Sequence, residues 1–549
     1  MLKKNIELKD KIFALKKMLC TSQSVAILSC YFITVVIPYI ASGEIVFAKY
    51  WQTDDSFYYL TIARNIAKYG LSTFDGIAIT NGYHPLYMVF IVPIAAIFGG
   101  NNSLYLLSTA TLNFAFVTGG VVYISNAVAK VADIKYKGAS FVIALVALLF
   151  FPRLLFPIPG VGFYSWIEST EFSLTFALYA ILTVWSYRQL LVVDKSLASP
   201  ERIDLSFPAI IMFFLFLSRT DSPVFVIPFV FTNLLWIKVW HKSFYFRRVW
   251  SLLLVLIVVL AYLVMNINIG GSVVQISGLA KEYYGSIGSG GIFGTFSGRL
   301  GDYGAAILFG SRNIGAFIVR NYLNGAIEGN TIFFIAVTPL VIYGLLLIRG
   351  ALHSSVLFRL SISFVGGTIC FIAIHLIRGW VEVRYWYFSF AFPIVLICLI
   401  CLVKGVSFRS LVILLTFMVF VASANLYGFL RFAQSPAADA NRLGGIIAKV
   451  GIDGIVGYPN SGGLGFYMPY GIVNLDGLVN DREYLQALRA GKASCVLKSR
   501  NVEVVMLPSN YINKIPYDQF LLIKDFRDIE GFRFYFLKSA SCDDYAISR

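Results

Sequence analysis

The sequence predicts an all-α polytopic membrane protein with a small α/β domain at its C-terminus, and three observations support this. Hydrophobic residues make up 58% of the 549 residues and charged residues only 13%, which is about half the charged share of a soluble protein. Apolar runs close to the roughly 20 residues that span a bilayer recur along the chain. Basic residues collect in the short segments between these runs. We therefore expect about 11 transmembrane helices within residues 1–430 and an extracytoplasmic domain over residues 431–549.

Each apolar run is predicted to be a helix, because the lipid core offers backbone groups no partners outside their own segment. The first run, SVAILSCYFITVVIPYIA (24–41), follows six lysines and is too long for a signal peptide, so we interpret it as an uncleaved anchor. A second span lies within 103–129. The remaining spans are predicted at 138–156, 171–192, 205–218, 222–240, 249–268, 331–348, 356–377, 385–403 and 408–430.

The basic clusters set the orientation, since Lys and Arg accumulate in cytoplasmic loops. Placing every cluster inside puts the N-terminus in the cytoplasm, and it puts residues 46–83, 157–170, 269–330 and the tail outside. The net charge of +16 then reflects topology, and nucleic acid is not a predicted partner. One apolar stretch, 84–99, does not fit this alternation, and about 16 residues is short for a full span. We interpret it as a re-entrant or interfacial helix on the outer side.

The tail alternates short apolar runs with Gly, Asn, Asp and Pro, which is typical of a small α/β domain. Cys495 and Cys542 both lie in it and could form a disulfide if the tail is outside, although two cysteines alone leave this open. The other five cysteines lie in or beside apolar segments and are predicted to be packing residues.

The unusual polar residues fall on the predicted outer side. A charge near membrane depth costs about 2.5–3.5 kcal/mol unless it is paired or hydrated, so a polar cavity is expected there. The candidate residues are Asp54, Asp55, His84, Glu168, Arg219, Asp221, Ser277, Lys281, Arg378, Arg384, Tyr385, Trp386 and Asp476, with Glu171 at the start of a span.

Carboxylates and cations together at a membrane surface fit the transfer of a sugar from a lipid phosphate. A carboxylate can take the proton from an acceptor hydroxyl as the hydroxyl attacks the anomeric carbon. Lys or Arg can hold the phosphate and stabilise it as it leaves. Aromatic side chains can pack on the sugar and on the isoprene units of the lipid.

The stretch DDSFYYLTIARNIA (54–67), followed by TFDGIAITNGYHPLY (73–87), resembles the first outer loop of bacterial GT-C glycosyltransferases. SRTDS (218–222), ISGLAK (276–281), RYWYF (384–388) and NLDGLVND (474–481) strengthen the resemblance. Together these motifs are similar to a subgroup near the arabinofuranosyltransferases that use decaprenyl-phosphoryl arabinose, which includes cell-wall and pilin-modifying enzymes. The resemblance runs over most of the chain.

The resemblance implies a GT-C membrane protein of the bacterial inner membrane with an extracytoplasmic active site. It implies an inverting enzyme that moves one sugar, such as arabinofuranose, from a polyprenyl-phosphate donor to a hydroxyl of a glycan or protein. The family's catalytic aspartate would correspond to Asp54 or Asp55, and its outer-loop glutamate to Glu168 in WIEST, which lacks the family's preceding glycine. His84 would correspond to the HPL element, and Lys281 to a lysine that contacts phosphate.

Each candidate also has a structural interpretation, and both interpretations stay open at this point. Acids at residues 54, 55 and 168 could favour a helix start, and Lys281 could extend along an apolar surface. Arg219 and Asp221 could form an ion pair that braces a turn. The remaining candidates could start a helix, anchor lipid headgroups, belong to an aromatic belt or brace a loop: His84, Arg378, Arg384, Tyr385, Trp386 and Asp476.

A divalent cation, Mg²⁺, Mn²⁺ or Ca²⁺, could bind the oxygens of Asp54, Asp55 and Glu168. Lys281 and the arginines can do the same electrostatic work, so no obligatory cofactor is predicted. A transporter or flippase of a lipid-linked saccharide is the rival function, but the inverted halves and broken helices typical of transporters are not seen in the sequence. A structural or receptor subunit is the third interpretation.

Overall fold

The computed structural model describes residues 23–36, 39–40, 53–131, 141–142, 144–145, 166–194, 206–236, 247–288, 355–377, 387, 389–403, 436–452, 454–468, 471–508, 523–529 and 532–537. Up to residue 403 these ranges are helical apart from short turns and one isolated bridge. The helices are α1 (Gln23–Val36), α2 (Asp54–Tyr69), α3 (Pro85–Phe98), α4 (Asn102–Val131), α5 (Phe172–Asp194), α6 (Ser206–Ser218), α7 (Ser222–Trp236), α8 (Arg247–Gly270), α9 (Ile276–Gly288), α10 (Ser355–Ile377) and α11 (Ala391–Val403).

Helices α5 to α8 and α10 occupy the positions predicted for spans, and α3 is the predicted short helix before the second span. Within the described ranges, two helices are long and apolar enough to cross a bilayer, Asn102–Lys130 and Ser355–His375, and α1, α3, α6 and α7 are shorter apolar helices. The predicted spans at 331–348 and 408–430, and most of 138–156, lie outside the described residues. The total number of spans stays a prediction.

The outward faces of α8 and α10 are apolar. On α8 the exposed side chains recur every three or four residues, which places them on one face; they are Leu253, Leu256, Ile257, Leu260, Val264 and Ile267. On α10 the same spacing relates Phe358, Ile362, Val365 and Ile369. Continuous exposed apolar faces of this kind suit a lipid environment better than water.

Small residues let the helices approach closely where they cross. Gly120 of α4 lies against Phe176 of α5, and a Cβ atom at Gly120 would come within 2.7 Å of the ring. Gly367 of α10 lies against Phe225 of α7, where a Cβ atom would come within 2.9 Å. Such glycines are common where membrane helices pack, because lipid tails provide no hydrophobic drive for association.

The described part of the tail is α/β, as predicted. Its strands are β1 (Ile455–Tyr458), β2 (Ile472–Asn474), β3 (Val502–Pro508), β4 (Ile523–Ile529) and β5 (Phe532–Leu537), in the order β2–β1–β3–β5–β4. β1 is parallel to β2 and β3, whereas β5 is antiparallel to β3 and β4. Its helices are α12 (Pro436–Val450), α13 (Gly462–Tyr467), α14 (Arg482–Arg489) and α15 (Ala493–Ser499).

Helices cover both faces of this sheet. Side chains alternate along β3, so neighbouring residues of this strand belong to different buried clusters. Val505 and Leu507 belong to one buried cluster, with α14 and α15, and Val504 and Met506 belong to the other, with α12. Cys495 forms a disulfide; Cys542, the partner considered from the sequence, lies outside the described residues.

Helix α9 joins the two parts of the molecule. Ile276 and Ala280 are buried in the tail's hydrophobic cluster with Leu475 and Tyr484. Ser277 and Lys281 each follow one residue later, and successive residues of a helix point about 100° apart. One face of α9 is therefore held by the tail while the neighbouring face carries Ser277 and Lys281 toward the helical part.

Candidate active site

A polar cavity lies where the helical part meets the tail. Its lining residues come from α2, the start of α3, the turns before α5 and α7, α9, and the loop after β2: Asp55, Tyr58, Tyr59, Gly82, His84, Thr170, Glu171, Arg219, Ser277, Lys281, Leu478 and Val479. A second cavity of about 390 Å³ shares His84, Arg219, Ser277 and Lys281 with the first. We call them the polar cavity and the larger cavity. Five of the residues proposed from the sequence meet at the polar cavity, and Asp221 joins four of these, all but Asp55, in the larger one.

The acidic pair begins α2 and divides between two surroundings. The backbone N–H groups of Ser56 and Phe57 donate to the Thr53 carbonyl at 3.1 and 3.4 Å, so Asp54 and Asp55 occupy the first turn, where the helix dipole favours negative charge. Their side chains diverge by about 100° because they are adjacent on a helix. Asp55 lines the polar cavity, and its carboxylate makes no hydrogen bond or ion pair with any other described residue.

The Asp54 carboxyl points toward the tail instead. Its Oδ1 accepts a hydrogen bond from the Gly463 N–H at 2.9 Å, and its Oδ2 is buried without a hydrogen-bond partner in the described part of the chain. Burial raises the pKa of Asp54 to about 6, although the Gly463 N–H opposes the shift. Asp54 is therefore a contact between the two parts of the molecule, whereas Asp55 faces the cavity.

Arg219 is the centre of a buried ion cluster. Its Nη1 donates to Glu171 Oε1 at 2.7 Å, and its Nε and Nη2 donate to both oxygens of Asp221 at 3.0 and 2.8 Å. The Nε2 atoms of His84 and His375 lie 3.7 Å from Glu171 and Asp221 respectively. Burial alone would raise the pKa of Asp221, but the Arg219 guanidinium outweighs it and holds that pKa below its usual value. Arg219 is thus fully paired inside the protein, which is the structural interpretation considered from the sequence.

Lys281 is half-buried at the cavities, and no carboxylate pairs with it in the described ranges. Its ammonium donates to the Tyr387 hydroxyl at 2.9 Å and lies 5.5 Å from the centre of the same ring. It lines both cavities beside Ser277. Because the hydrogen-bond acceptor is a hydroxyl and not a carboxylate, the positive charge of Lys281 is available to a ligand.

His84 starts α3, with Pro85 at the first helical position. Its backbone N–H donates to the Tyr59 hydroxyl at 3.2 Å, and its ring lines both cavities. Burial lowers the pKa of His84 to about 4, although Glu171 opposes the shift. The imidazole is therefore neutral near pH 7.

Besides Asp54, two sequence candidates in the described part of the chain lie outside the cavities. Glu168 is buried but is not among the described lining residues; the carboxylate that reaches the polar cavity from this turn is Glu171. The turn is fixed by α4, where Asn113 donates to the Glu168 carbonyl and the Thr109 hydroxyl lies 2.8 Å from that of Ser169. The sequence pointed to Glu168, whereas the lining glutamate of this turn is Glu171, because these contacts decide which side chain faces the cavity.

Asp476 lies behind the cavity wall that Leu478 and Val479 form. Its Oδ2 accepts hydrogen bonds from the Tyr58 hydroxyl at 3.2 Å and the Asn460 N–H at 2.7 Å. Burial raises the pKa of Asp476 to about 7, although the Asn460 N–H opposes the shift. Four further candidates, Arg378, Arg384, Tyr385 and Trp386, lie outside the described residues.

Sequence reasoning missed several lining residues, chiefly Tyr58, Tyr59 and His375. The two tyrosines follow the acidic pair by about one helical turn, so the helix period could have indicated Tyr58 and Tyr59. His375 lay inside a predicted span and gave no signal.

The described residues hold no group of three or more His, Cys, Asp or Glu side chains that could bind a metal ion.

No protein-family model and no curated protein matches the chain. Among solved structures, the chain is similar to the archaeal oligosaccharyltransferase AglB from Archaeoglobus fulgidus in complex with an inhibitory peptide and a dolichol-phosphate, with 12% identity and a TM-score of 0.42 over 95% of this chain and 74% of that one. It is also similar to ArnT from Cupriavidus metallidurans in the apo state, with 12% identity and a TM-score of 0.39 over 92% of this chain and 98% of that one. At these values the similarity decides neither the fold nor the activity of this chain.

Proposed function

We propose that the protein is an integral membrane glycosyltransferase that moves one sugar from a polyprenyl-phosphate donor to a hydroxyl of a cell-envelope glycan or protein. One observation carries the proposal. Asp55 and Lys281 line the same cavity, and neither is in an ion pair with another described residue. A buried cavity that holds an unpaired carboxylate and an unpaired ammonium suits a reaction that needs a base and a cation at once. The motifs around both residues resemble those of polyprenyl-phosphate-dependent enzymes.

Asp55 takes the role of general base in this proposal. Its carboxylate accepts the proton of the acceptor hydroxyl while the hydroxyl oxygen forms a bond to the anomeric carbon. The bond between that carbon and the phosphate oxygen breaks on the opposite face, and its electron pair leaves with the lipid phosphate. The anomeric configuration is therefore inverted. The products are a glycoside, a polyprenyl phosphate and one proton on Asp55.

Lys281 takes the role of phosphate contact. The leaving lipid phosphate gains a negative charge as the bond breaks, and a nearby ammonium stabilises that charge more in the transition state than in the ground state. Lys281 and Ser277 lie in both cavities. We therefore place the phosphate where the two cavities meet.

The larger cavity suits the lipid side of the donor. Its apolar lining side chains come from α6, α7, α8 and α10: Phe216, Val224, Leu263 and Ile374. The outer faces of α8 and α10 are themselves apolar and exposed. Its volume of about 390 Å³ lies within the usual range of small-molecule sites, roughly 300–1,000 Å³. The polar cavity, which Asp55 lines, is left for the acceptor hydroxyl.

The test is to incubate the purified protein with a panel of polyprenyl-phosphate sugars, an arabinofuranose donor first, and to measure released polyprenyl phosphate. Release from one donor, with an inverted anomeric configuration in the product, is the expected result. Lys281→Gln should lower the rate for that donor, whereas Lys449→Gln, an exposed lysine of α12, should not. Failure of every donor to release its phosphate would overturn the proposal, and movement of an intact donor across a vesicle membrane would favour a transporter.

A further inference from the structure

We infer that Asp54 is a positioning residue that fastens the tail to the first turn of α2 and so holds Asp55 in the polar cavity. The inference rests on the proposed function, because it takes Asp55 as the base. It assigns different roles to two neighbouring acids: Asp55 contacts the reacting hydroxyl, and Asp54 acts through the tail.

The contact itself is a hydrogen bond between the two parts of the molecule. Asp54 Oδ1 accepts from the N–H of Gly463, the second residue of α13. Ser461 precedes α13 but provides no side-chain hydrogen bond to that helix; its hydroxyl accepts from the Asn474 side chain at 3.0 Å instead. Asp54 therefore supplies from α2 the acceptor that a helix start usually finds in its own chain segment.

The backbones at this contact are close enough to require glycine. A Cβ atom at Gly462 would clash with the backbone carbonyl of Asp54. The same holds at a second point of the interface, where a Cβ atom at Gly82 would clash with the backbone carbonyl of Leu478. The tail thus meets the first outer segment backbone to backbone at two places, and Leu478 also lines the polar cavity.

Further contacts lie on the same side of α2 as Asp54. The Tyr58 hydroxyl, four residues on, donates to Asp476 and accepts from the Ser461 N–H at 3.1 Å. Arg64 donates to the Phe466 carbonyl at 3.2 Å and stacks 4.3 Å above the centre of that ring. One face of α2 is therefore tied to the tail along three turns, which fixes the rotation of the helix about its axis and with it the direction of Asp55.

The variants Asp54→Ala and Asp54→Asn separate this role from a chemical one. Alanine removes the acceptor, so turnover should fall about five- to tenfold, the effect expected for loss of a helix-capping contact. Asparagine keeps an oxygen where Oδ1 lies, so turnover should return to within about twofold of the wild type. Amide hydrogen exchange of residues 460–467 should accelerate in Asp54→Ala and not in Asp54→Asn.

A third variant approaches the contact from the tail. Gly462→Ala places a Cβ atom against the Asp54 carbonyl, so it should lower turnover and accelerate exchange over the same residues. As a control, Asp481→Ala removes two contacts within the tail, the 2.9 Å bond from the Tyr484 N–H and the 2.6 Å ion pair with Arg500, without touching α2. It should lower the stability of the tail while turnover is unchanged at temperatures where the tail stays folded.

The outcomes distinguish the inference from the proposed function. Wild-type turnover in Asp54→Ala would overturn the positioning role, and so would an Asp54→Asn variant as inactive as Asp55→Asn, which would make Asp54 a chemical participant. If instead Asp55→Asn remained fully active, the base assignment would fail, while the exchange of residues 460–467 would still decide whether Asp54 holds the tail.

Discussion

Two groups of buried charge lie side by side at the cavities and differ in how they are balanced. In the Arg219 cluster, one guanidinium is bonded to two carboxylates, Glu171 and Asp221. In the second group, Asp54, Asp55 and Asp476 have no cation within hydrogen-bond distance among the described residues, and Lys281 has no carboxylate. A charge whose ionic partners are inside the protein serves the architecture, whereas a charge that lines a cavity without such a partner, as Asp55 and Lys281 do, is available to a ligand.

The charge balance of the Arg219 cluster also bears on which cation contacts the phosphate in the proposed reaction. Its single positive charge is outnumbered by the two carboxylates, and neighbouring His84 is neutral near pH 7 because its pKa is lowered to about 4. A cluster with a net negative charge repels an anionic lipid phosphate. In the proposed reaction Lys281, which has no carboxylate partner among the described residues, is therefore better suited than Arg219 to contact the phosphate.

The largest effect should come from Asp55→Asn, which removes the unpaired carboxylate and keeps its shape. Loss of a general base lowers turnover by roughly 10²–10⁴-fold, and stability should change little because Asp55 makes no hydrogen bond or ion pair with another described residue. Turnover and the thermal unfolding midpoint measure the two effects. Asp75→Asn is the matched control, since Asp75 lies in the same outer segment and its hydrogen bonds with described residues all stay within its own turn. Full activity in Asp55→Asn would show that the carboxylate without an ionic partner is not the functional one, and the comparison of the two groups would fail.

The next effect concerns stability and tests the paired group. Arg219→Gln leaves Glu171 and Asp221 buried without their cation, and breaking a buried pair in this way costs about 3–5 kcal/mol. The free energy of unfolding should fall by that amount, and activity should fall with the folded fraction. Lys281→Gln should leave the free energy of unfolding nearly unchanged while turnover falls. Equal stability losses in the two variants would contradict the distinction.

The sequence predicted much of this arrangement because periodic patterns act locally. Apolar runs located α5, α6, α7, α8 and α10, and the expectation that outer-side polar residues share one cavity placed Asp55, His84, Arg219, Ser277 and Lys281 together. The short helix after His84 was predicted from its length alone. These inferences needed no knowledge of which helices are neighbours.

The directions of individual side chains and the formation of α9 depend on tertiary contacts, which cannot be read from a single sequence. Glu168 and Glu171 are three residues apart, and contacts of their turn with Thr109 and Asn113 decide which one reaches the cavity. Helical geometry alone separates Asp54 from Asp55, but only the position of Gly463 shows which of them meets the tail. The segment after α8 was expected to be a loop, and α9 forms there because the tail buries Ile276 and Ala280.

The smallest predicted effect is a change of stability with pH, and it separates the two groups by sign. Burial raises the pKa of Asp54 to about 6 and that of Asp476 to about 7, from an ordinary value of 3.8. Between about pH 4 and pH 7 the folded protein therefore binds more protons than the unfolded chain. The contact between α2 and the tail should lose stability as pH rises through this window, by at most about 1.4 kcal/mol per pH unit for each carboxyl. Asp221 has the opposite effect on stability. Its pKa is lowered, so it stabilises the folded protein at neutral pH, and this contribution is lost only in acid.

Hydrogen exchange of residues 460–467, measured at pH 5 and pH 8 and corrected for the intrinsic pH dependence of exchange, follows this contact directly. Protection should be greater at pH 5 in the wild type. The difference should shrink in Asp476→Asn, because the amide keeps an acceptor for the Asn460 N–H but cannot ionise. Arg219→Lys, which changes only the paired group, should leave the pH difference as it is. Greater protection at pH 8 in the wild type would show that the acids of α2 and the tail are balanced by a cation after all, and the contrast between the two groups would then be wrong.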